Sequence, residues 1–203
     1  MPADTHGGAR AGVKIPSMLD LVHLSPRPLF PPGGIEICRQ IALLTGMKKG
    51  GEVLVIPSGL AVTLEHFVRE YGVVGSGVED DPFLLDRAEE RLRVNTMLER
   101  VHVQAGEMDA LPFRDGIFDV VIAELGLTSR VSAESAVSEM VRVAKLGASV
   151  VLVQPVWKAP VDSVRREILG QHLGCRPMMV VEWKRLLRDA GVEDLHTEDW
   201  SDE

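Results

Sequence analysis

Short unbroken apolar runs alternate along this chain with stretches whose apolar residues recur at helical spacing, and this alternation restricts the fold more than any other feature. Residues 53–56 (VLVI) are apolar without a break, between Gly50-Gly51 and Pro57-Ser58-Gly59. Leu64, Phe67, Val68 and Tyr71 then take helical spacing, and Gly72 supplies a stop. The pairing repeats. Residues 73–78 form a second run broken by glycines, followed by a helix face of Leu84, Ala88 and Leu92 with Glu89→Arg93 as an i, i+4 pair. Residues 101–103 and 118–123 are further strands, the latter followed by a helix on Val137, Met140, Val141 and Ala144. Residues 149–153 (SVVLV) are a fifth strand. Helices on Val164/Ile168 and on Trp183/Leu186/Leu187/Ala190 come next, and residues 192–197 read as a last strand. Strands without polar alternation are buried on both faces, and parallel strands need crossover helices. The expected fold is therefore α/β: a Rossmann-like, mainly parallel sheet with helices on both faces, its strand order reversing between the first and fourth strands.

Ahead of this series the expected order is a leader, a short helix over 17–23, a proline-rich connector over 24–34, and a helix on Ile37, Ile41 and Leu44 ended by Gly46. The division this suggests is a leader and N-terminal cap over 1–34 and one α/β domain over 35–203; a chain of 203 residues fits one such domain. The net charge of −8 leaves no basic footprint for nucleic acid. Most of that excess lies in 182–203, which reads as a solvated acidic end. Cys38 and Cys175 read as small core residues, not a disulfide framework. His23, His66, His102, His172 and His196 lack metal-ligand spacing, and His172 with Cys175 lacks a second pair, so no metal site is expected. Trp157 and Trp183 read as core. No secretory segment and no apolar run near 18 residues is found, so the expectation is no membrane span and a cytoplasmic location.

Ligands of such sheets bind beyond the carboxyl ends of the strands, which directs attention to the loops after Ile56, Val78, Val103 and Ala123. A dinucleotide or phosphate loop is excluded, because GxGxxG and GxxxxGK[ST] are absent. The nearest candidate, Gly75-Ser76-Gly77, runs into Glu79, Asp80 and Asp81, which would repel a pyrophosphate.

Taken in order, the strand-end loops are similar to those of class I S-adenosylmethionine (SAM)-dependent methyltransferases, over about residues 31–192. Glu79-Asp80-Asp81-Pro82 and the helix after it resemble the second motif of that family. Residues 106–113 (GEMDALPF) resemble its "GDAxxLPF" loop, and Phe118-Asp119-Val120-Val121 its "FDVV" strand. Residues 139–148 (EMVRVAKLGA) are similar to "EMARVLKPGG", 183–192 (WKRLLRDAGV) to "LLREAGF", and 32–36 (PGGIE) to the "PGGLE" entry to the first helix.

The resemblance implies SAM as cofactor, with Ser58, Gly59 and Leu60 of the first motif and Asp80 beside it. It implies Glu79 as acceptor for the ribose hydroxyls, and Glu107 with the Met108 N–H at the adenine. A carboxylate suits two hydroxyls because it accepts several charge-assisted bonds. The plain alternatives are that Glu79 caps the following helix and that Glu107 is an ordinary loop acid. Glu124, after the fourth strand, is placed by the resemblance among the cofactor-binding residues and is also a candidate general base or ligand for a substrate amine, the alternative being a strand-end acid paired with an arginine. His23 is the other catalytic candidate, as a lid residue.

The first motif departs from the family's "VLDIGCGTG": Val55 replaces an acid near the methionyl ammonium, and Pro57 and Ala61 replace glycines. The closing antiparallel hairpin of the family is expected to be absent or shortened. The implied activity is methyl transfer from SAM to a small-molecule acceptor, and the composition leaves the oligomeric state open. The alternative is a methyltransferase-fold protein that has lost SAM binding and serves as a non-catalytic partner.

Overall fold

The computed structural model describes residues 16–25, 28–127 and 131–200, with only the backbone of Val22 and His23. The leader expected over 1–12 and part of the proline-rich connector lie outside the described residues. The strands are β1 (Glu52–Ile56), β2 (Val74–Glu79), β3 (Val101–Ala105), β4 (Phe118–Glu124) and β5 (Ala144–Val153). Their order in the sheet is β3-β2-β1-β4-β5, and every pairing is parallel. The order reverses between β1 and β4, as the sequence predicts. Val55 lies opposite Gly77 on one side and Ile122 on the other.

Helices cover both faces: α1 (Met18–His23), α2 (Gly34–Leu44), α3 (Val62–Tyr71), α4 (Pro82–Val94), α5 (Ala133–Val143), α6 (Ser163–Leu173) and α7 (Val180–Asp189). Side chains alternate across a strand. Val53, Val55, Val120 and Ile122 accordingly join Cys38, Ile41, Leu64, Phe67, Ala88 and Leu92 of α2, α3 and α4. Leu54, Ile56, Val121 and Ala123 join Val137, Met140, Trp183 and Leu186 of α5 and α7. Each central strand is thus apolar on both sides, which is the physical meaning of its unbroken run.

Several expectations are corrected. Residues 192–197 form no strand; after α7 the chain lacks regular structure, and Gln40 Nε2 donates to Glu198 at 2.7 Å, holding this end against α2. A separate pair forms instead between β6 (Val156–Trp157) and β7 (Met178–Met179), too short for periodicity to reveal. In α6 Val164 and Ile168 are exposed, because two residues at i, i+4 make too narrow a stripe to bury a helix. Leu44 is exposed while Cys38 and Ala42 are buried on that face of α2. Ala144 opens β5, and Arg93 pairs with Glu90 rather than Glu89.

Two residues of the sequence motifs are structural. Asp119 accepts from the Glu52 N–H at 2.9 Å and from Lys145 Nζ at 2.8 Å, tying β4 to the start of β1. Arg142 on α5 donates to the Phe113 carbonyl at 2.8 Å, the Leu111 carbonyl at 3.1 Å and the Glu139 carboxylate at 2.6 and 2.7 Å. Glu139 in turn accepts from the Leu111 N–H at 2.7 Å. The loop after β3 is therefore clamped from both its donors and its acceptors. Replacing Arg142 with Leu leaves Glu139 and two carbonyls without their charged donor. That change should lower the unfolding free energy by about 2 kcal/mol in chemical denaturation, with faster amide exchange confined first to residues 107–115.

Candidate functional site

The turn after β1 is the centre of the carboxyl edge. Ser58 N–H donates to the Val78 carbonyl at 2.8 Å and Gly59 N–H to Glu79 Oε2 at 2.7 Å, so the turn is pinned across the end of β2. Gly77 shows how closely: a Cβ there would stand 2.6 Å from the Ser58 Cβ. The glycines of Gly75-Ser76-Gly77 thus make room for neighbouring protein, not for a phosphate. Ala61 closes the turn with φ 55°, a left-handed conformation that glycine takes without strain.

Glu79 ends β2. Its Oε1 accepts from the Asp81 N–H at 3.1 Å, and its carboxyl is 2% exposed. Burial pushes its pKa from the ordinary 4.5 up to about 7; the two backbone N–H bonds oppose the rise and the neighbouring Asp80 adds to it. Asp81, not Glu79, caps α4, accepting from Phe83 N–H at 2.9 Å and Leu84 N–H at 3.4 Å. Glu79 therefore has no helix to cap, and its two oxygens each keep acceptor capacity.

Glu124 ends β4, beside the point where strand order reverses. Thr63 Oγ1, in the first turn of α3, donates to Glu124 Oε2 at 3.1 Å. Oε1 is sealed from solvent and has no partner among the described residues. Among the described residues no arginine, the plain alternative, pairs with it, and burial lifts this carboxyl's pKa from 4.5 to about 7. Glu124 is close enough to Cys38 on α2 to add to the rise in its thiol pKa, which burial mainly causes and which reaches about 12. Thr63 was not singled out by sequence reasoning; its one signal is its place at the start of the helix that follows the first turn.

The remaining candidates are distributed as follows. Glu107 is exposed, at a tight turn bridged to Ala110, while Met108 is buried at 3% exposure beneath it. Ser58 and Leu60 are buried, and Ser58 Oγ has no partner among the described residues. Asp80 is half-buried beside Glu79. His23 closes α1, but its side chain lies outside the described atoms. His66 packs edge-on against Phe30, with ring centroids 5.6 Å apart, in a structural setting. Among the described residues no His/Cys/Asp/Glu group has the arrangement of a metal site, and no helix is long and apolar enough to cross a membrane. A cavity of about 360 Å³ opens elsewhere, beside α5 and α6, lined by Val131, Arg166, Arg176 and Met178 among others. It touches none of the strand-end carboxylates.

The parallel sheet reverses its order at β1/β4, with a carboxylate at the end of β2 and another at the end of β4, and in open α/β sheets of this kind the ligand crevice lies at that reversal. The family described as "Methyltransferase domain" matches residues 57–152. Norajmaline N-methyltransferase of Rauvolfia serpentina is 26% identical over 167 residues, covering 76% of this chain and 56% of its own length. The ubiquinone/menaquinone biosynthesis C-methyltransferase UbiE of Idiomarina loihiensis is 27% identical over 126 residues, covering 61% of this chain and 49% of its own. Among solved structures, phosphoethanolamine N-methyltransferase 2 of Haemonchus contortus, in complex with SAM, superposes with a TM-score of 0.70 at 21% identity, over 79% of this chain and 37% of that one. These comparisons make the chain similar to class I SAM-dependent methyltransferases, whose fold it shares. It spans about half the length of the two curated relatives named here.

Two outcomes test the site's electrostatics. Glu79 and Glu124 have folded pKa values near 7 against an ordinary 4.5. Between those values the folded chain holds protons the unfolded chain has released, so stability falls as pH rises from about 4.5 to about 7 and is then flat. The contribution is about 3 kcal/mol per group at most. Glu79→Gln and Glu124→Gln should each flatten that decline in denaturation curves taken at several pH values. Ala61→Gly should raise stability by about 0.5–1 kcal/mol, relief of the left-handed strain exceeding the loss of one buried methyl.

Proposed function

We propose that this chain binds SAM across the carboxyl edge of its sheet and transfers the methyl group to a small molecule. The observation that carries the reading is Glu79: a buried carboxylate at the end of β2, oriented by two backbone N–H groups and free of any capping duty. Its remaining lone pairs suit the two ribose hydroxyls. Glu107 then accepts from the adenine amino group beside the Met108 N–H, and Ser58, Gly59 and Leu60 pass beneath the ligand, with Asp80 at its margin. SAM supplies a methyl on an activated sulfonium. The chain's own part is to hold the donor, exclude water and align the acceptor. Glu124 and His23 are its candidates for taking a proton from the acceptor, needed only when that acceptor is protonated.

A carboxylate that is 2% exposed meets a ribose only if its cover moves. Any movement that opens Glu79 must leave the Gly59 and Asp81 N–H bonds in place, since these orient its carboxylate. The N-methyltransferase and C-methyltransferase named above differ in acceptor atom, so the proposal extends to a small-molecule acceptor and no further. It keeps residues 1–34 as an N-terminal cap and 35–203 as the cofactor-binding domain.

Isothermal titration of the full chain with SAM and S-adenosylhomocysteine is the direct test. Both should bind, and Glu79→Ala should weaken each about ten- to hundredfold, the loss of one charged hydrogen-bond acceptor. Binding unchanged in the variant removes Glu79 from the ribose role. No binding to the unaltered chain favours the non-catalytic partner instead.

A further inference from the structure

Glu65, in the first turn of α3, is a carboxylate buried to 5% exposure and richly supplied with donors. Asn95 Nδ2 donates to both of its oxygens at 3.0 Å, Arg69 reaches Oε1 at 2.7 Å and Arg91 reaches Oε2 at 2.5 Å. A buried carboxylate must be paired, and Arg69 with Asn95 already brings it a charge and an amide. What Arg91 adds lies beyond Glu65. Its Nη2 is on the carboxylate, while Nη1 donates to the Leu60 carbonyl at 3.3 Å, inside the turn after β1.

A guanidinium is a rigid planar fork, so a carboxylate that seats one of its nitrogens aims the next. Arg91 lies on α4, the helix that follows β2, and Glu79 ends β2. The β2–α4 unit therefore grips the 57–61 turn twice. Glu79 takes the Gly59 N–H at 2.7 Å, and Arg91 gives a hydrogen bond to the Leu60 carbonyl. The second grip falls where the backbone needs it. Ala61 holds φ 55°, a conformation that a residue other than glycine keeps only when its surroundings fix it. The Leu60 carbonyl belongs to the peptide that joins Leu60 to Ala61, so Arg91 fixes the plane from which that φ is turned.

We infer that Arg91, aimed by Glu65, is a positioning residue for the ribose contact: it fixes the Leu60–Ala61 peptide and thereby keeps the Gly59 N–H on Glu79. It touches no reacting atom and acts on the ribose through Glu79. The inference rests on the SAM reading above and adds to it a pair of residues that no strand-end loop contains. The plain alternative is that Glu65 and Arg91 only tie α3 to α4.

Isothermal titration of the full chain with S-adenosylhomocysteine and its 2′-deoxyribose analogue, joined to chemical denaturation, separates the two. A charged acceptor held in place should make the unaltered chain prefer S-adenosylhomocysteine by about tenfold or more. Arg91→Met keeps the stem and leaves Glu65 with Arg69 and Asn95, so the variant folds. Its preference should fall to about threefold or less, with the analogue's affinity changed by less than about twofold. Arg91→Lys keeps a charge for Glu65 but ends in one nitrogen, and should recover stability without recovering the preference. In Glu79→Ala the preference should already be lost, and adding Arg91→Met should lower it no further. A preference that survives in Arg91→Met overturns the inference. So does equal weakening of both ligands, or a lysine variant that recovers preference and stability together. If the unaltered chain binds both ligands equally, the ribose role of Glu79 fails and the positioning with it, while SAM binding stands. If neither ligand binds, the methyltransferase reading fails, and the inference fails with it.

Discussion

The laying of the 57–61 turn across the end of β2 is the arrangement on which the carboxyl edge depends. Ser58 gives its N–H to the Val78 carbonyl, and Gly59 gives its own to the Glu79 carboxylate. Neither bond would reach if residue 77 carried a side chain, since a Cβ there would lie 2.6 Å from Ser58. The same turn starts α3, which brings Thr63 to Glu124 on the far side of β1. One close approach of two backbones therefore sets the positions of both strand-end carboxylates.

Those carboxylates are buried for different reasons and with different compensation. Glu79 is solvated by the protein itself, through backbone donors that cannot leave without unmaking the turn. Among the described residues Glu124 meets a single hydroxyl and its other oxygen has no partner. In both, burial raises the pKa to about 7, so each lies near the balance between neutral and charged forms at neutral pH. A ligand that brings hydrogen-bond donors to Glu79 would favour its charged form. Protons should leave the protein as it binds.

The motifs divide between structure and site in a way their spelling does not reveal. Asp119 and the Glu139–Arg142 pair are as prominent in sequence as Glu79, yet Asp119 ties β4 to the amino end of β1 and the pair ties α5 to the loop after β3. The Glu139–Arg142 pair holds the 107–115 loop beside β3, which gives Glu107 and Met108 a defined place. The site is therefore supported by α5 although no residue of that helix is among its candidates.

By itself the sequence determined the parallel sheet, because a strand buried on both faces must be apolar throughout and the central runs 53–56 and 120–123 are so. It also determined the strand reversal at β1/β4 and the candidate strand-end acids, since the family motifs fall at the carboxyl ends in order. It could not determine which acid does what. Whether Asp81 or Glu79 caps α4, whether Glu124 meets an arginine or a threonine, and whether 192–197 finds a strand partner depend on groups brought together from distant parts of the chain. Periodicity records which face of an element is buried. The partner a buried polar atom finds there is decided only when the elements pack, and it is tertiary structure that sets Glu124 against Thr63.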